Sequence, residues 1–432
     1  MPREMRADWV SVGQARETIL QSVAALPSER RFLLDALEYV LAEDLDSPLD
    51  LPLWNNSAMD GFAVRAQDVR GASESQPREL PVVDDVPAGA FPSRALASGE
   101  AARVMTGAPV PEGADSVIRV EHTDGGSGIG TPAGRVRIHS DLDAERNVRR
   151  RGEDLRSGER VLTRGALLRA AELGVAASLG RSVLSVVRRP RVAVLTSGDE
   201  LVEVDGFAEV LAGRRIVSSN SYTLAAQLTE AGVEARILGI ARDTPESLRS
   251  HLEAARGCDA LITSAGISVG EHDYLREVLL EMGAEVAFWR VRMRPGSPFA
   301  FGRVGALGGI PWFGLPGNPV SSMVTFELFV RPALLRMAGR RAVHPPTVKV
   351  RLRDAYPAAP GLTHFARVRL ERTADGETAA FLTGAQGSGI LTSMAAAEAL
   401  LVIPEEQAGA APGDVLPALL LGGRPLQEAA GY

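Results

Sequence analysis

The segment RVAVLTSGDE (residues 191–200) is the strongest indication of the fold class, because it joins an unbroken apolar run to a turn that carries a glycine and two acids. A short apolar run of this kind is typical of a strand buried on both faces of a sheet. The same arrangement occurs in LITSAGISVG (residues 261–270) and PWFGLPGNP (residues 311–319). Helical patterns separate these runs, so residues 187–339 are expected to form an α/β domain with a parallel-dominated sheet.

The helices of this domain begin and end at recognisable residues. Thr244 supplies an N-cap, Pro245 a first-turn proline and Glu246 an early acid, which together predict a helix over residues 245–255. Further helices are predicted over residues 221–231, 274–282 and 320–337, the first two being stopped by glycine.

The rest of the chain divides around this domain. Residues 11–45 show two helical faces, the second running from Phe32 to Leu41, and residues 167–179 show another. Between them, short apolar runs separated by Gly, Pro, Ser and Asp indicate a β-rich insertion. Alternation after Pro345-Pro346 indicates a small β domain. The expected domains are therefore 1–53 with 141–186 (helical and discontinuous), 54–140 (the insertion), 187–339, and 345–432 (C-terminal).

Length and composition exclude several classes of function. At about 150 residues per domain, 432 residues make roughly three folding units. A net charge of -7 argues against sequence-independent nucleic-acid binding, which relies on many cationic contacts to phosphate. The single cysteine, Cys258, excludes an intrachain disulfide and a cysteine zinc cluster. With no secretory signal pattern and no run of about 18 apolar residues, we expect a soluble, cytoplasmic protein without membrane partners.

The three strand–loop segments suggest a shared binding site. In open parallel sheets ligands bind outside the carboxyl ends of the strands, where glycine lets the backbone approach an anion. The alternative is that Gly and Ser only make tight turns. Three such loops at one edge favour substrate binding, and the candidate residues are Ser197, Gly198, Ser264, Gly266, Ser268, Pro316, Gly317, Asn318 and Pro319.

Charged residues accompany these loops. Asp199, Glu200 and Asp273 are candidate magnesium ligands, since hard cations prefer oxygen donors, although acids beside a helix start are commonly caps. Residues 290–294 alternate arginine with apolar residues, so Arg290, Arg292 and Arg294 should share one side of a strand. They could grip an oxyanion, or form a solvated edge.

Seven segments occur together in an order and spacing that resemble one family. They are residues 56–64, 105–109, 149–154, 196–201, 264–274, 294–301 and 314–321. The sequence resembles the MoeA family of molybdopterin molybdenumtransferases, which includes the E domain of gephyrin. The resemblance implies a MogA-like α/β domain, a β-rich insertion domain, an elongated helical linking domain and a C-terminal β-barrel-like domain.

The resemblance also implies the chemistry. Family members insert molybdate into adenylylated molybdopterin in a magnesium-dependent step that releases AMP. They form homodimers whose active sites combine residues from both subunits, and their partners include a MogA-like adenylyltransferase and molybdoenzyme acceptors. The functional positions of the family fall on Asp60, Thr106, Asp154, Glu200, Asp273, Arg290, Arg294, Pro316 and Pro319.

Several positions depart from the family pattern. The family usually has lysine at Arg290, Arg294 and Ser297. It often has glycine at Ala265, and an aspartate at Ser218. Arginine keeps the positive charge but does not release a proton, whereas Ser297 deletes the charge of the expected molybdate or phosphate site. The departures leave open a non-catalytic molybdopterin-binding or scaffold protein. A third alternative is adenylyl transfer onto molybdopterin.

Overall fold

The computed structural model describes residues 9–125, 134–265, 274–373 and 375–422. The chain divides into two compact units. The first comprises Met1–Ala42, Gly165–Arg169 and Leu184–Tyr432, and the second comprises Glu43–Arg164 and Ala170–Val183.

The centre of the first unit is a six-stranded sheet. Its strands are β1 (Arg191–Ser197), β2 (Glu234–Ala241), β3 (Ala260–Ser264), β4 (Ala284–Phe288), β5 (Ala300–Val304) and β6 (Ile310–Leu315). They are arranged in the order β2-β1-β3-β6-β5-β4. The first four in this order are mutually parallel, whereas β5 pairs antiparallel with both β6 and the edge strand β4. The expectation of a parallel-dominated sheet is confirmed.

Helices cover both faces of this sheet, which explains why its strands are apolar throughout. Val192 and Val194 of β1 enter one core with α1 (Ser219–Glu230) and α4 (Pro319–Thr325), while Ala193 and Leu195 enter another with α2 (Pro245–Glu253) and α3 (Tyr274–Glu281). After α4 the helix continues as a π turn, Phe326–Val330, and an α segment, Arg331–Met337. These elements match the predicted helices to within a few residues.

The C-terminal part of the first unit is a closed barrel. Five strands pair in a ring around an apolar core, so no edge is left between the first and the last. In ring order they are Thr363–Arg372, Thr378–Leu382, Thr347–Leu352, Val415–Leu420 and Ala399–Ile403. The short strand Met293–Arg294 adds to the first of them in parallel. The predicted C-terminal β-barrel-like domain is confirmed.

The N-terminal segment corrects one prediction. The helix Val12–Ser22 forms as expected, with a capping box at Ser11. The second predicted helix, from Phe32 to Leu41, does not form: Ser28–Phe32 and Val40–Leu41 are strands that flank Val183–Val187. Glu38 has a φ of 64°, a left-handed backbone that a helix cannot accommodate. Phe32 is 70% exposed, so the apparent apolar face is not buried.

The second unit is built around a five-stranded sheet, as expected for a β-rich insertion. Its strands, in spatial order, are Ser116–Arg119, Gly61–Val64, Ala101–Val104, Arg78–Val86 and Arg135–Ile138. Each face of the sheet packs its own apolar cluster. Two short antiparallel pairs, Asn56–Ser57 with Val148–Arg149 and Leu45–Asp46 with Arg160–Leu162, and the helix Ala170–Ser178 complete the unit. Among the described residues of both units, no helix is long and apolar enough to cross a membrane.

Candidate active site

The register of the central sheet brings the three strand–loop segments side by side. Ser264, the last residue of β3, pairs with Thr196 of β1 on one side and with Leu315 of β6 on the other. The three chains therefore leave the sheet at the same level. A cavity of about 450 Å³ opens where they do.

The cavity has apolar walls and a polar floor. The apolar lining includes Leu201, Ile216 and Val217, together with Pro298. Its polar lining includes the predicted residues Glu200, Ser264 and Asn318, and the hydroxyl and amide side chains of Thr196, Ser218, Ser219 and Asn220. Such a combination of apolar surface with a few fixed polar groups is typical of small-molecule sites.

Two of the lining residues, Thr196 and Ser218, belong to a cluster of three buried hydroxyl groups. Ser218 Oγ lies 3.2 Å from Thr196 Oγ1 and 2.8 Å from Ser221 Oγ, and the last two oxygens are 3.1 Å apart. Thr196 also donates to the carbonyl oxygen of Gly239 at 3.3 Å. Ser218, where the resemblance leads one to expect a carboxylate, is thus integrated into a neutral hydrogen-bond network.

Asn220 ties two of the loops together. Its Nδ2 donates to Ser264 Oγ at 2.7 Å and to the carbonyl oxygen of Gly317 at 2.8 Å. Asn220 is 8% exposed, and within the described ranges its Oδ1 has no hydrogen-bond partner. Sequence reasoning missed this residue.

The backbone of Ala265 takes a conformation that favours glycine. Its φ is 80°, in the left-handed region, and its N–H donates to the carbonyl oxygen of Leu315 at 3.2 Å. A Cβ on Gly317 would lie 3.4 Å from the Ala265 methyl group. The two loops pack closely here, at a position where the resemblance leads one to expect a second glycine.

The acids of the first loop lie at the rim. The Glu200 carboxylate folds over Gly198, where a Cβ would come within 2.6 Å of Glu200 Oε2. Asp199 accepts a long hydrogen bond, 3.4 Å, from the backbone N–H of Asp243. Burial raises the pKa of the Asp243 carboxyl, and the neighbouring charges of Asp199 and Glu200 raise it further. Negative charge thus accumulates on this side of the cavity.

The arginine segment is only partly as predicted. Val291 and Met293 are buried, Arg290 and Arg292 are half-buried and Arg294 is exposed, but the strand itself is limited to Met293–Arg294. Arg290 stacks over the Trp9 ring at 5.1 Å. Arg292 donates to the carbonyl oxygen of Trp9 at 2.5 Å and pairs with Glu405 at 3.3 Å. Arg292 therefore stabilises local structure.

Ser297 turns back on its own loop. Its hydroxyl donates to the carbonyl oxygen of Met293, and its own carbonyl oxygen accepts from the N–H groups of Val291 and Phe299. It does not line the cavity. This side chain has a structural role and does not replace the missing positive charge.

The predicted residues of the second unit include a tight pair. Asp60 Oδ1 accepts hydrogen bonds from both the N–H and the hydroxyl of Thr106, each 2.7 Å long. These hydrogen bonds lower the pKa of the Asp60 carboxyl. Asp154 is exposed, and its N–H donates to the carbonyl oxygen of Leu51 at 2.9 Å.

Family models match three segments of the chain. Residues 10–180 match the MoeA N-terminal region (domain I and II), residues 193–336 a "probable molybdopterin binding domain", and residues 349–421 the MoeA C-terminal region (domain IV). The chain is also 32% identical over 412 residues to the molybdopterin molybdenumtransferase of Staphylococcus aureus (strain COL), covering 95% of each chain. The chain belongs to the MoeA family.

Other relatives support this assignment. A second MoeA-type sequence, molybdopterin molybdenumtransferase 2 of Mycobacterium tuberculosis, is 37% identical over 390 residues, which cover 89% of this chain and 93% of that protein. A crystal structure of the Pyrococcus horikoshii molybdopterin biosynthesis MoeA protein superposes with a TM-score of 0.80 at 29% identity. It covers 96% of this chain and 100% of that one.

Within this MoeA fold the predicted site residues of the three strand–loop segments fall into three groups. Glu200, Ser264, Pro316, Gly317, Asn318 and Pro319 line the cavity. Ser197, Gly198 and Asp199 lie beside it at the end of β1, where the Gly198 N–H donates to the carbonyl oxygen of Ala241. Gly266, Ser268 and Asp273 lie outside the described residues. The described residues contain no group of three or more His, Cys, Asp or Glu that could hold a metal.

The barrel contributes a buried cation that the sequence did not reveal. Arg367 is fully buried, and its Nε donates to Ser393 Oγ at 2.8 Å while Nη2 donates to the carbonyl oxygens of Ala385 and Gly387. Burial lowers the pKa of this guanidinium. In the described part of the chain Nη1 has no partner. The loop whose carbonyl oxygens bind Arg367 also contacts α4, because the Val320 N–H donates to the carbonyl oxygen of Ser388 at 3.1 Å.

Proposed function

We propose that this chain inserts molybdate into adenylylated molybdopterin with release of AMP, in a magnesium-dependent reaction. The observation that carries the proposal is the cavity at the carboxyl edge of the central sheet, where loops from β1, β3 and β6 meet. Apolar walls suit the flat pterin, and hydroxyl and amide groups suit phosphate oxygens. Membership of the MoeA family supplies the reaction class.

We propose that magnesium binds at the rim, where two described acids would be completed by Asp273. Asp199 and Glu200 raise the pKa of Asp243, so several carboxylates there repel one another. Magnesium prefers such oxygen donors, and in proteins it is usually bound by one or two carboxylates together with substrate phosphates. Asp199 and Glu200 would hold the ion together with Asp273, and it would neutralise the charge that develops on the leaving phosphate.

The protein side chains would mainly bind and orient the substrates. Ser264 and Ser268 would donate hydrogen bonds to anionic oxygens, as would the loop formed by Pro316, Gly317, Asn318 and Pro319. Arg290 and Arg294 would contribute fixed positive charge, since an arginine does not act as a proton donor at neutral pH. Catalysis would rest on charge stabilisation.

We further propose that the protein acts as a homodimer in which Asp60, Thr106 and Asp154 of one subunit complete the site of the other. A subunit-mixing experiment tests this arrangement. Asp60→Asn and Glu200→Gln chains, each inactive alone, should recover activity when they are unfolded and refolded together. About a quarter of wild-type activity is expected because half of the dimers are mixed and each has one intact site. No recovery would contradict a shared site.

The direct test of the reaction uses the purified full chain. Given adenylylated molybdopterin, magnesium and molybdate, it should release AMP above a control without protein, and chelating magnesium should stop the release. Binding of molybdopterin without AMP release would instead favour a scaffold role, consistent with the neutral side chains of Ser218 and Ser297. Consumption of ATP with free molybdopterin would indicate adenylyl transfer.

A further inference from the structure

We propose that Asn220 is a positioning residue that prepares Ser264 to donate a hydrogen bond to the substrate. Asn220 lies in the N-terminal turn of α1, within hydrogen-bond distance of the segments that follow β3 and β6. The inference deepens the proposed function, because it assigns a task to one residue in the same cavity.

The orientation of the Asn220 amide is fixed by its partners. The carbonyl oxygen of Gly317 can only accept, so the atom facing it at 2.8 Å must be the NH₂ group. The second hydrogen of that NH₂ points to Ser264 Oγ at 2.7 Å. Both hydrogens are therefore used to hold two loops that lie 53 residues apart in the sequence, at Ser264 and Gly317.

This contact determines what the Ser264 hydroxyl can do. A serine hydroxyl has one hydrogen to donate, and here its oxygen already accepts from Asn220. In the structure that hydrogen is directed at the carbonyl oxygen of Pro316, in a hydrogen bond of 3.5 Å that is weak because it exceeds the usual O–H···O length, so a better acceptor can replace it. The Ser264 hydrogen is thus available to an anionic oxygen in the cavity that Ser264 lines.

The remaining atom of the amide is its oxygen, Oδ1. Asn220 Oδ1 is buried and, in the part of the chain that the structure describes, has no donor opposite it. A buried acceptor without a donor destabilises a fold. Asn220 therefore adopts an orientation that serves its two donor contacts, although it leaves its acceptor unsatisfied.

The same helix offers a matched control. Gln227 lies seven residues further along α1, where its Nε2 donates to Glu327 Oε1 at 2.7 Å and to the carbonyl oxygen of Met323 at 3.3 Å. It is buried like Asn220, and its Oε1 also has no partner within the described ranges. Gln227 does not line the cavity, so it fixes α1 without contributing to the site.

Calorimetric titration of the full chain with adenylylated molybdopterin tests the proposal. Asn220→Ala should raise Kd by on the order of tenfold, the effect of one hydrogen bond to a charged group. Gln227→Ala should lower the melting temperature about as much as Asn220→Ala does. It should leave Kd within about twofold of the wild-type value. Equal Kd values for Asn220→Ala and Gln227→Ala would overturn the proposal. If Asn220→Ala does not fold, as judged by circular dichroism, the similarly sized and uncharged Asn220→Leu carries the same expectation.

A double-mutant cycle identifies Ser264 as the route of the effect. Because Asn220 acts through that hydroxyl, adding Asn220→Ala to Ser264→Ala should raise Kd no further than Ser264→Ala alone. Independent, additive losses would overturn the proposal, as would a wild-type chain that does not bind. Binding does not require turnover, so a wild-type chain that binds but releases no AMP would contradict the proposed reaction alone.

Discussion

Asp60 accepts two hydrogen bonds from Thr106 on a single carboxylate oxygen, both of 2.7 Å. The strand Gly61–Val64 follows Asp60 and pairs with Ala101–Val104, which precedes Thr106. Sheet pairing thus brings together two residues that are 46 positions apart. The pair holds the carboxylate in its charged form, oriented at the surface of the second unit.

Thr106→Val should raise the pKa of Asp60, because it removes the hydroxyl that contributes most to stabilising the charged form. The stabilisation that wild-type Asp60 provides is present above its unfolded pKa and is lost as the pH falls through its lowered folded pKa. An NMR titration of the Asp60 carboxyl carbon measures the change. Thr123→Val is the control, since the Thr123 hydroxyl donates to the carbonyl oxygen of Val120. Unchanged Asp60 titration in Thr106→Val would contradict the assignment.

Ala265→Gly should stabilise the protein by on the order of 0.5 kcal/mol. The free energy gained by removing the strain of the left-handed backbone at residue 265 exceeds the entropic cost of a more flexible unfolded chain. Ala260→Gly, in the extended backbone of β3, should destabilise it. Thermal unfolding of both variants gives the comparison. Equal losses in the two variants would show that the Ala265 backbone is not strained.

Asp243→Asn should raise the melting temperature at pH 7, since it removes a carboxylate whose charge is disfavoured by burial and by repulsion from Asp199 and Glu200. The pKa of Asp243 is higher in the folded protein than in the unfolded chain. Its charge therefore does not destabilise the fold below the unfolded pKa, and the destabilisation grows as the pH rises through the folded pKa. The gain should therefore disappear near pH 3. Melting curves at both pH values test this prediction. If the melting-temperature gain of Asp243→Asn persists at low pH, it has another cause. Magnesium should raise the melting temperature of the wild-type chain at pH 7.

Asp143→Ala should destabilise the second unit by about 2 kcal/mol, because Asp143 is 1% exposed and accepts hydrogen bonds from the Arg119 backbone and guanidinium. Although burial raises the pKa of Asp143, these hydrogen bonds outweigh it and the net pKa is lowered. Glu145→Ala, which removes the exposed pair with Arg70, should cost less than about 0.5 kcal/mol. Urea unfolding measures both. Similar losses would contradict a special role for Asp143.

The sequence was most informative where local pattern and burial agree. Strands β1, β3 and β6 are apolar on both faces because helices cover both, and their glycine-bearing turns follow directly. The cavity therefore contains several predicted residues, among them Ser264 and Gly317.

Long-range contacts explain what the sequence could not predict. Asn220 meets its partners 44 and 97 residues away, and nothing in its own helix pattern marks it. Residues 32–41 have helical spacing, but Val40 pairs with Val187 in a sheet, and tertiary pairing overrides the local pattern. Ser297 looks like a lost charge, whereas the structure shows a hydroxyl that closes its own turn.

The central claim is that the loops after β1, β3 and β6 form an oxyanion site. A crystal of the full chain soaked with molybdate and magnesium tests it most directly, because molybdenum can be located by its anomalous scattering. We expect a molybdenum peak inside the cavity, with the molybdate oxygens in hydrogen-bond contact with Ser264 or the loop from Pro316 to Asn318. An ordered molybdate bound elsewhere on the chain, with this cavity empty, would contradict it.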